Sequence, residues 1–277
     1  MASDANLYQS NASRIEAFFD TEVFLQNILK PMIDASAVHH QIKEVVVFDN
    51  GAAENTDVIG LLFGDESLGF VTLLATNSGR QANEILGIFP IAEGMVQRVH
   101  IDEVIVWNNQ ICATVRCSAK GYPFAFFATD YYFNREKYLD NEYLDINLAA
   151  FSCAAEEAER GFSFEGQKAV DWLAKMGQDP TYNEDGTVLP VQFSTERLVA
   201  YLAVEPKAPD EAQFQSPAGP VESNSIAGVE LFKTDFTIRG EDANFHVPIL
   251  IRRELIPNLE EDMPIRGYSC MIGKIAE

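Results

Sequence analysis

From position 15 onward the apolar residues Ile15, Phe18, Leu25, Ile28 and Leu29 return at helical spacing, and Phe19 and Phe24 widen the stripe. Ser13 and Glu16 stand at the spacing of a capping box, in which each side chain satisfies an N–H that the first helical turn leaves open. The pattern predicts a core-packing helix. Pro31 is expected to end it, because the residue before a proline is driven out of the α region.

After Pro31 the period shortens to that of strands. Ile42 to Phe48 is rich in β-branched residues and stops at Asp49-Asn50-Gly51. Val58 to Phe63 and Leu68 to Leu74 flank Gly64-Asp65-Glu66-Ser67, the signature of a hairpin, and Glu84 to Ile91 follows the turn Thr76-Asn77-Ser78-Gly79. A second series comprises Val99 to Trp107, Ile111 to Cys117 and Tyr122 to Thr129, then a short helix over Phe133 to Leu139 and a strand over Tyr143 to Phe151. Beyond it the pattern predicts helical turns at Ala154 to Arg160, a helix over Gly166 to Met176, and another opening at Ser194-Thr195-Glu196-Arg197. Pro206, Pro209, Pro217 and Pro220 mark 205–225 as an exposed loop. Val229 to Ile238, Phe245 to Ile251 and Ile265 to Ile275 close the chain as strands.

These elements define a strand-rich α+β protein. Residues 1–97 form an N-terminal α+β portion, and 98–277 a β-rich portion with an inserted helical and Pro-rich segment at about 154–225. The order strand, strand, strand, helix, strand over 98–153 fits a small Greek-key barrel of the oligonucleotide-binding kind, provided that a strand from 226–275 closes it. A faint echo links Phe151-Ser152-Cys153 to Tyr268-Ser269-Cys270.

Composition narrows the function without naming it. Of the 277 residues 47% are hydrophobic, with 19 Phe and 9 Tyr, enough for a sizeable core. The formal charge is −22, and the acidic excess runs through every part of the chain. Such a surface keeps a protein soluble and attracts basic partners. It disfavours direct binding to duplex nucleic acid, which needs clustered Lys and Arg. The first residues lack a charged and then apolar leader, and no apolar run reaches the about 18 residues of a membrane span. The expectation is a cytoplasmic protein with no membrane partner, whose four cysteines are thiols.

The motifs of catalysis are missing. Cys112 and Cys117 lack metal-ligand spacing, His39 and His40 are adjacent and would diverge on a regular element, and His100 and His246 stand alone. No nucleophile elbow or phosphate loop is present, so neither metal nor cofactor is expected. Asp102, Glu103 and Asp130 remain as carboxylates for acid–base work. The most distinctive segment is the aromatic run from Tyr122 to Phe151. Its rings fill a core or, in the functional reading, form a binding platform of Phe124, Tyr131, Tyr132 and Tyr138. Three functions follow in order. The first is a non-catalytic acidic interaction protein (an inhibitor, immunity or accessory factor) that binds a basic protein. The second is a barrel that binds a small ligand or single-stranded nucleic acid, and the third an enzyme with an unrecognised carboxylate site.

Overall fold

The computed structural model describes residues 15, 17–47, 51, 53–76, 84–203 and 209–276. Its first regular elements are a helical turn at Thr21–Val23, a π-helical turn at Phe24–Ile28 and helix α1 (Leu29–Ala35). Ser13, Arg14 and Glu16 lie outside the described residues. Ile15, Phe18, Phe19 and Phe24 are buried as expected, but Leu25 faces outward. Pro31 does not end the helix. The π turn, in which Leu29 N–H bonds Phe24 O, resets the hydrogen-bond ladder, so Pro31 falls in the first turn of α1, where a proline's missing N–H is tolerated.

Strands β1 (Ala37–Val47), β2 (Ala53–Gly64), β3 (Leu68–Thr76) and β4 (Glu84–Ala92) form an antiparallel meander. The hairpin expected at Gly64 to Ser67 forms, because Gly64 adopts φ of +86° and Asp65 Oδ1 accepts the backbone N–H groups of Ser67 and Leu68.

Five further strands close a barrel. They are β5 (Met95–Val106), β6 (Ala113–Ala119), β7 (Tyr122–Ala128), β8 (Tyr143–Glu157) and a last strand over 264–275. Helix α2 (Tyr131–Asp140) lies between β7 and β8. Strands β5, β6 and β7 pair antiparallel in order, β7 runs parallel to the last strand, the last strand is antiparallel to β8, and β8 returns antiparallel to β5.

The segment read as helical and Pro-rich holds more strand than helix. Residues 154–157 continue β8, and beyond it stand β9 (Gly161–Phe164), α3 (Gly166–Lys175), β10 (Val191–Ser194) and β11 (Ala200–Ala203). Where a helix was expected from Ser194 to Leu202, the chain instead ends β10, turns at 195–199 and enters β11, because Tyr201 stacks on Phe236 and pairing with the next strand outweighs helix propensity. The 205–225 stretch carries β12 (Glu211–Pro217) and β13 (Glu222–Ile226), with Ala212, Phe214 and Ser216 buried. Pro217 is tolerated because it stands at the end of its strand. Strands β14 (Val229–Arg239), β15 (Asn244–Arg252) and β16 (Pro264–Ile275) complete the chain.

The pairings on the two sides of the β8–β16 seam repeat each other. β5 bonds the first half of β8 as β12 bonds the first half of β16, and β7 runs parallel to β16 as β15 runs parallel to β8. The separation in sequence from Phe127 to Ile249 equals that from Ala150 to Ile272 and that from Leu148 to Cys270. Each of these residues occupies the matching place in its ladder. β14 returns toward β12 through Thr237 N–H to Ser216 Oγ and Gly219 N–H to Asp235 O. The tripeptide echo is out of step with this repeat: Ser152 pairs with Ser269 across the seam.

Two cores result. One fills the barrel and extends under β12, β14 and β15, and the other lies between the meander and the barrel's outer wall, where Phe18 packs on Phe70 and Phe151. Asp130, at the start of α2, ties the helix to β16. Its Oδ2 accepts Asn134 Nδ2 at 2.8 Å and Ile275 N–H at 3.1 Å, and its Oδ1 accepts the Tyr138 hydroxyl at 2.6 Å. Burial raises the Asp130 carboxyl above its ordinary value, and these three donors work against that rise. Replacing Tyr138 by Phe leaves one buried carboxylate oxygen without its donor. The expected cost is about 1–3 kcal/mol in urea unfolding.

Candidate functional site: an acidic cleft beside the barrel

Register slips where β5 meets β6: Ile101 pairs with Cys117 and Glu103 with Arg116, so Asp102 is an extra residue. On a regular strand Asp102 and Glu103 would project from opposite faces, whereas a bulge re-aims them. Both line an open cleft of about 390 Å³. The opposite wall comes from the end of α2 and the turn into β8, with Leu139, Asp140, Asn141 and Glu142. Asn141 stops the helix by taking extended backbone angles, and its Nδ2 donates to Lys137 O at 2.8 Å. Asp140 and Glu142 thus stand at a helix C-terminus, where the helix dipole already disfavours negative charge. Four carboxylates share one cleft under a local field of their own sign.

Basic groups offset part of that charge. His100 Nδ1 lies 2.8 Å from Asp102 Oδ1, and Nε2 lies 3.1 Å from Glu142 Oε1. Hydrogen bonding to Asp102, then to Glu142, raises the imidazole above its ordinary value. When the ring is protonated, both of its N–H groups face carboxylates, and neither nitrogen then has a lone pair left to accept a proton from a substrate. Arg116 pairs with Glu103 at 2.6 Å, while Asp140 has no ion-pair partner among the described residues. Leu139 is 54% exposed and Tyr143 49%, so apolar surface borders the charge. Arg98 lies 5.8 Å from the Tyr143 ring centre and pairs with Asp145 at 3.1 Å. The carboxylates do not converge on a point: among the described residues no three His, Cys, Asp or Glu side chains are placed to hold a metal ion.

The aromatic residues singled out from the sequence lie elsewhere. Phe124, Tyr131, Tyr132 and Tyr138 are all buried, so they offer no open ring face for a platform. Phe124 points into the barrel beside Phe245, and Tyr131 packs on Tyr138. Tyr132 fits against Gly60, where any Cβ would collide with its hydroxyl. That hydroxyl lies 3.2 Å from His39 Nδ1. The cause is volume: the five-stranded barrel needs large side chains inside, and Phe124, Tyr131 and Tyr138 fill its core, while Tyr132 fills the second core against the meander. Tyr138 alone borders the cleft, as its floor.

The adjacent histidines do not diverge as expected. β1 slips register between Val38 and His40, which leaves the two rings 4.6 Å apart and stacks His40 on Phe133 at 3.7 Å. His100, Asp140 and Glu142 were missed as site residues. The only signal for them was an acid on each side of a helix-ending Asn.

A second cleft, of about 540 Å³, opens between 197–199 and the β14–β15 turn. Arg197 and Arg239 line it together with Glu241, Asp242 and Asn244. Every other described arginine stands in an ion pair with a carboxylate; these two form none with the described residues. Among the described residues no helix is long and apolar enough to cross a membrane. No family model, curated protein or solved structure matches the chain.

The His100 arrangement sets a pH dependence. A raised folded-state value means that its stabilisation is complete below the ordinary 6.5 and is lost as pH rises through the folded value. The ring should titrate above 6.5 by NMR, and Asp102→Asn should lower the midpoint. The stability gap between wild type and His100→Gln should shrink as pH rises from 6.5.

Proposed function

We propose that the protein is a non-catalytic interaction protein whose acidic cleft receives a basic segment of a protein partner. The observation that carries this reading is the meeting of Asp102, Glu103, Asp140 and Glu142 around one cleft with Leu139 and Tyr143 exposed beside it. A Lys or Arg side chain offers both things such a cleft takes, a cationic head and an apolar stem. Exposed ion pairs contribute only about 0.2–1 kcal/mol each, so the charges speed and orient encounter while apolar contact supplies holding power. The formal −22 charge favours the same partner at longer range. Engagement of both His100 nitrogens speaks for binding over acid–base chemistry.

We further propose that the barrel is a Greek-key barrel of the oligonucleotide-binding kind. The sequence β5, β6, β7, α2, β8, closed by β16 parallel to β7, supports that reading. The likeness is one of architecture and carries no activity with it.

Two variants of equal net charge test the function. One replaces the cleft acids (Asp102→Asn, Asp140→Asn, Glu142→Gln), and the other replaces exposed acids around α3 (Glu165→Gln, Asp179→Asn, Glu184→Gln). Basic proteins captured from native extract are purified and titrated against each folded variant at low and high salt. The cleft variant should bind about tenfold more weakly, as expected for three exposed charges. The α3 variant should bind like wild type, and salt should weaken wild-type binding. Equal losses in both variants, or salt-independent binding, would overturn the cleft reading.

Arg197 and Arg239, which form no ion pair among the described residues, favour a second reading, a small anionic ligand held in their shared cleft. Inorganic phosphate should then raise the melting temperature of wild type and leave Arg197→Gln/Arg239→Gln unmoved. An equal rise in both removes this reading.

A further inference from the structure

All four cysteines are thiols, and two of them meet across the seam of the barrel. Cys153 Sγ lies 3.3 Å from Cys270 Sγ. The ladder explains the approach. Phe151 pairs directly with Cys270, which makes Cys153 a diagonal neighbour on the same face, and diagonal side chains in a regular sheet stand well apart. Here Ala154 pairs with Tyr268 and Ser152 with Ser269, so Cys153 is the extra residue of a bulge that bends it toward Cys270. Cys153 is partly exposed, whereas Cys270 is buried. Attack from solvent therefore falls on Cys153 first.

We propose that Cys153 and Cys270 form a dithiol modification site that is oxidised by a low-molecular-weight disulfide and locks β8 to β16. In the first step the Cys153 thiol gives up its proton and its sulfur attacks one sulfur of the small disulfide. A bond forms between them, the small S–S bond breaks, and the released thiolate takes the proton. In the second step Cys270 loses its proton and attacks the Cys153 sulfur. The Cys153–Cys270 bond forms as the mixed disulfide breaks, and the second small thiolate leaves with that proton. Two protein thiols are oxidised, and one small disulfide is reduced to two thiols.

The approach needed is short. A disulfide holds its sulfurs about 2.05 Å apart, so the pair must close by roughly 1.3 Å from a contact that already exists. The other two thiols serve as internal controls. Cys112 and Cys117 are both buried, and burial pushes the Cys117 thiol well above its ordinary value, which keeps it protonated and unreactive. The bond would span the one seam that both halves of the large sheet share.

The test treats the folded protein with oxidised glutathione, quenches it with an alkylating agent in denaturant, and measures intact mass, remaining thiols and cross-linked peptides. Wild type should fall from four titratable thiols to two, with a peptide joining Cys153 to Cys270. Cys270→Ser should stop with one glutathione on Cys153, and Cys153→Ser should react much more slowly. The oxidised protein should unfold at higher urea than the reduced one. Four thiols remaining under conditions that oxidise a reference dithiol would overturn the proposal. So would a wild type that stops at the mixed disulfide, or a bond that involves Cys112 or Cys117.

Discussion

The antiparallel pairing of β8 with β16 is the constraint on which the rest of the large sheet depends. It runs from Ile265 opposite Glu157 to Ile275 opposite Ile146, and it joins residues more than a hundred positions apart. Along its other edge β8 bonds first β5 and then β15, while β16 bonds first β12 and then β7. Each strand therefore changes partner midway, and the seam is where two curved sheets become one. Ile146, Leu148, Ile265 and Met271 all point from the seam into one continuous core. Closing such a long loop costs entropy, but the cost grows only slowly with length, and the apolar burial along two long strands outweighs it.

Three side-chain meetings in this molecule depend on bulges. His39 beside His40, Asp102 beside Glu103, and Cys153 against Cys270 each bring together residues that a regular strand would hold apart. A bulge adds one residue to one strand, turns the local backbone and leaves the flanking ladder intact. The chain thereby gains chemistry at single positions without disturbing the alternation that fills the core. The acidic cleft shows the division of labour: Ile101 and Val104 line it and also pack against the barrel core, while the extra Asp102 turns to face His100.

Most of the strand frame was legible because alternation and turn residues were strong where the sheet has one wet face. The hairpin at Gly64, the trio β5 to β7, the helix before β8 and the three final strands all carried such signals. Two kinds of information were not. Pro31 looked like a stop, and only the π turn before it, which no local pattern announces, makes it a beginning. Residues 205–225 looked like a loop because strands β12 and β13 are short and polar, and the order of β12 comes from a partner far along the chain, with Ser269 opposite Ala212. The aromatic run was conspicuous by composition, yet barrel volume claimed Phe124, Tyr131 and Tyr138 for the core. The cleft acids were inconspicuous among 42 acidic residues, because a one-residue slip in register leaves no trace in composition.

The seam also governs how the chain can mature as it is made. Strands β5 to β8 can pair with one another as soon as they emerge from the ribosome, but β7 and β8 keep raw edges until residues 264–275 follow. A nascent chain paused anywhere in the intervening stretch presents two unprotected strand edges of an apolar sheet, the geometry that invites pairing with a neighbour on the same message. That stretch carries the acidic excess found throughout the chain, and like-charged nascent chains repel one another while they wait for the strand that completes them.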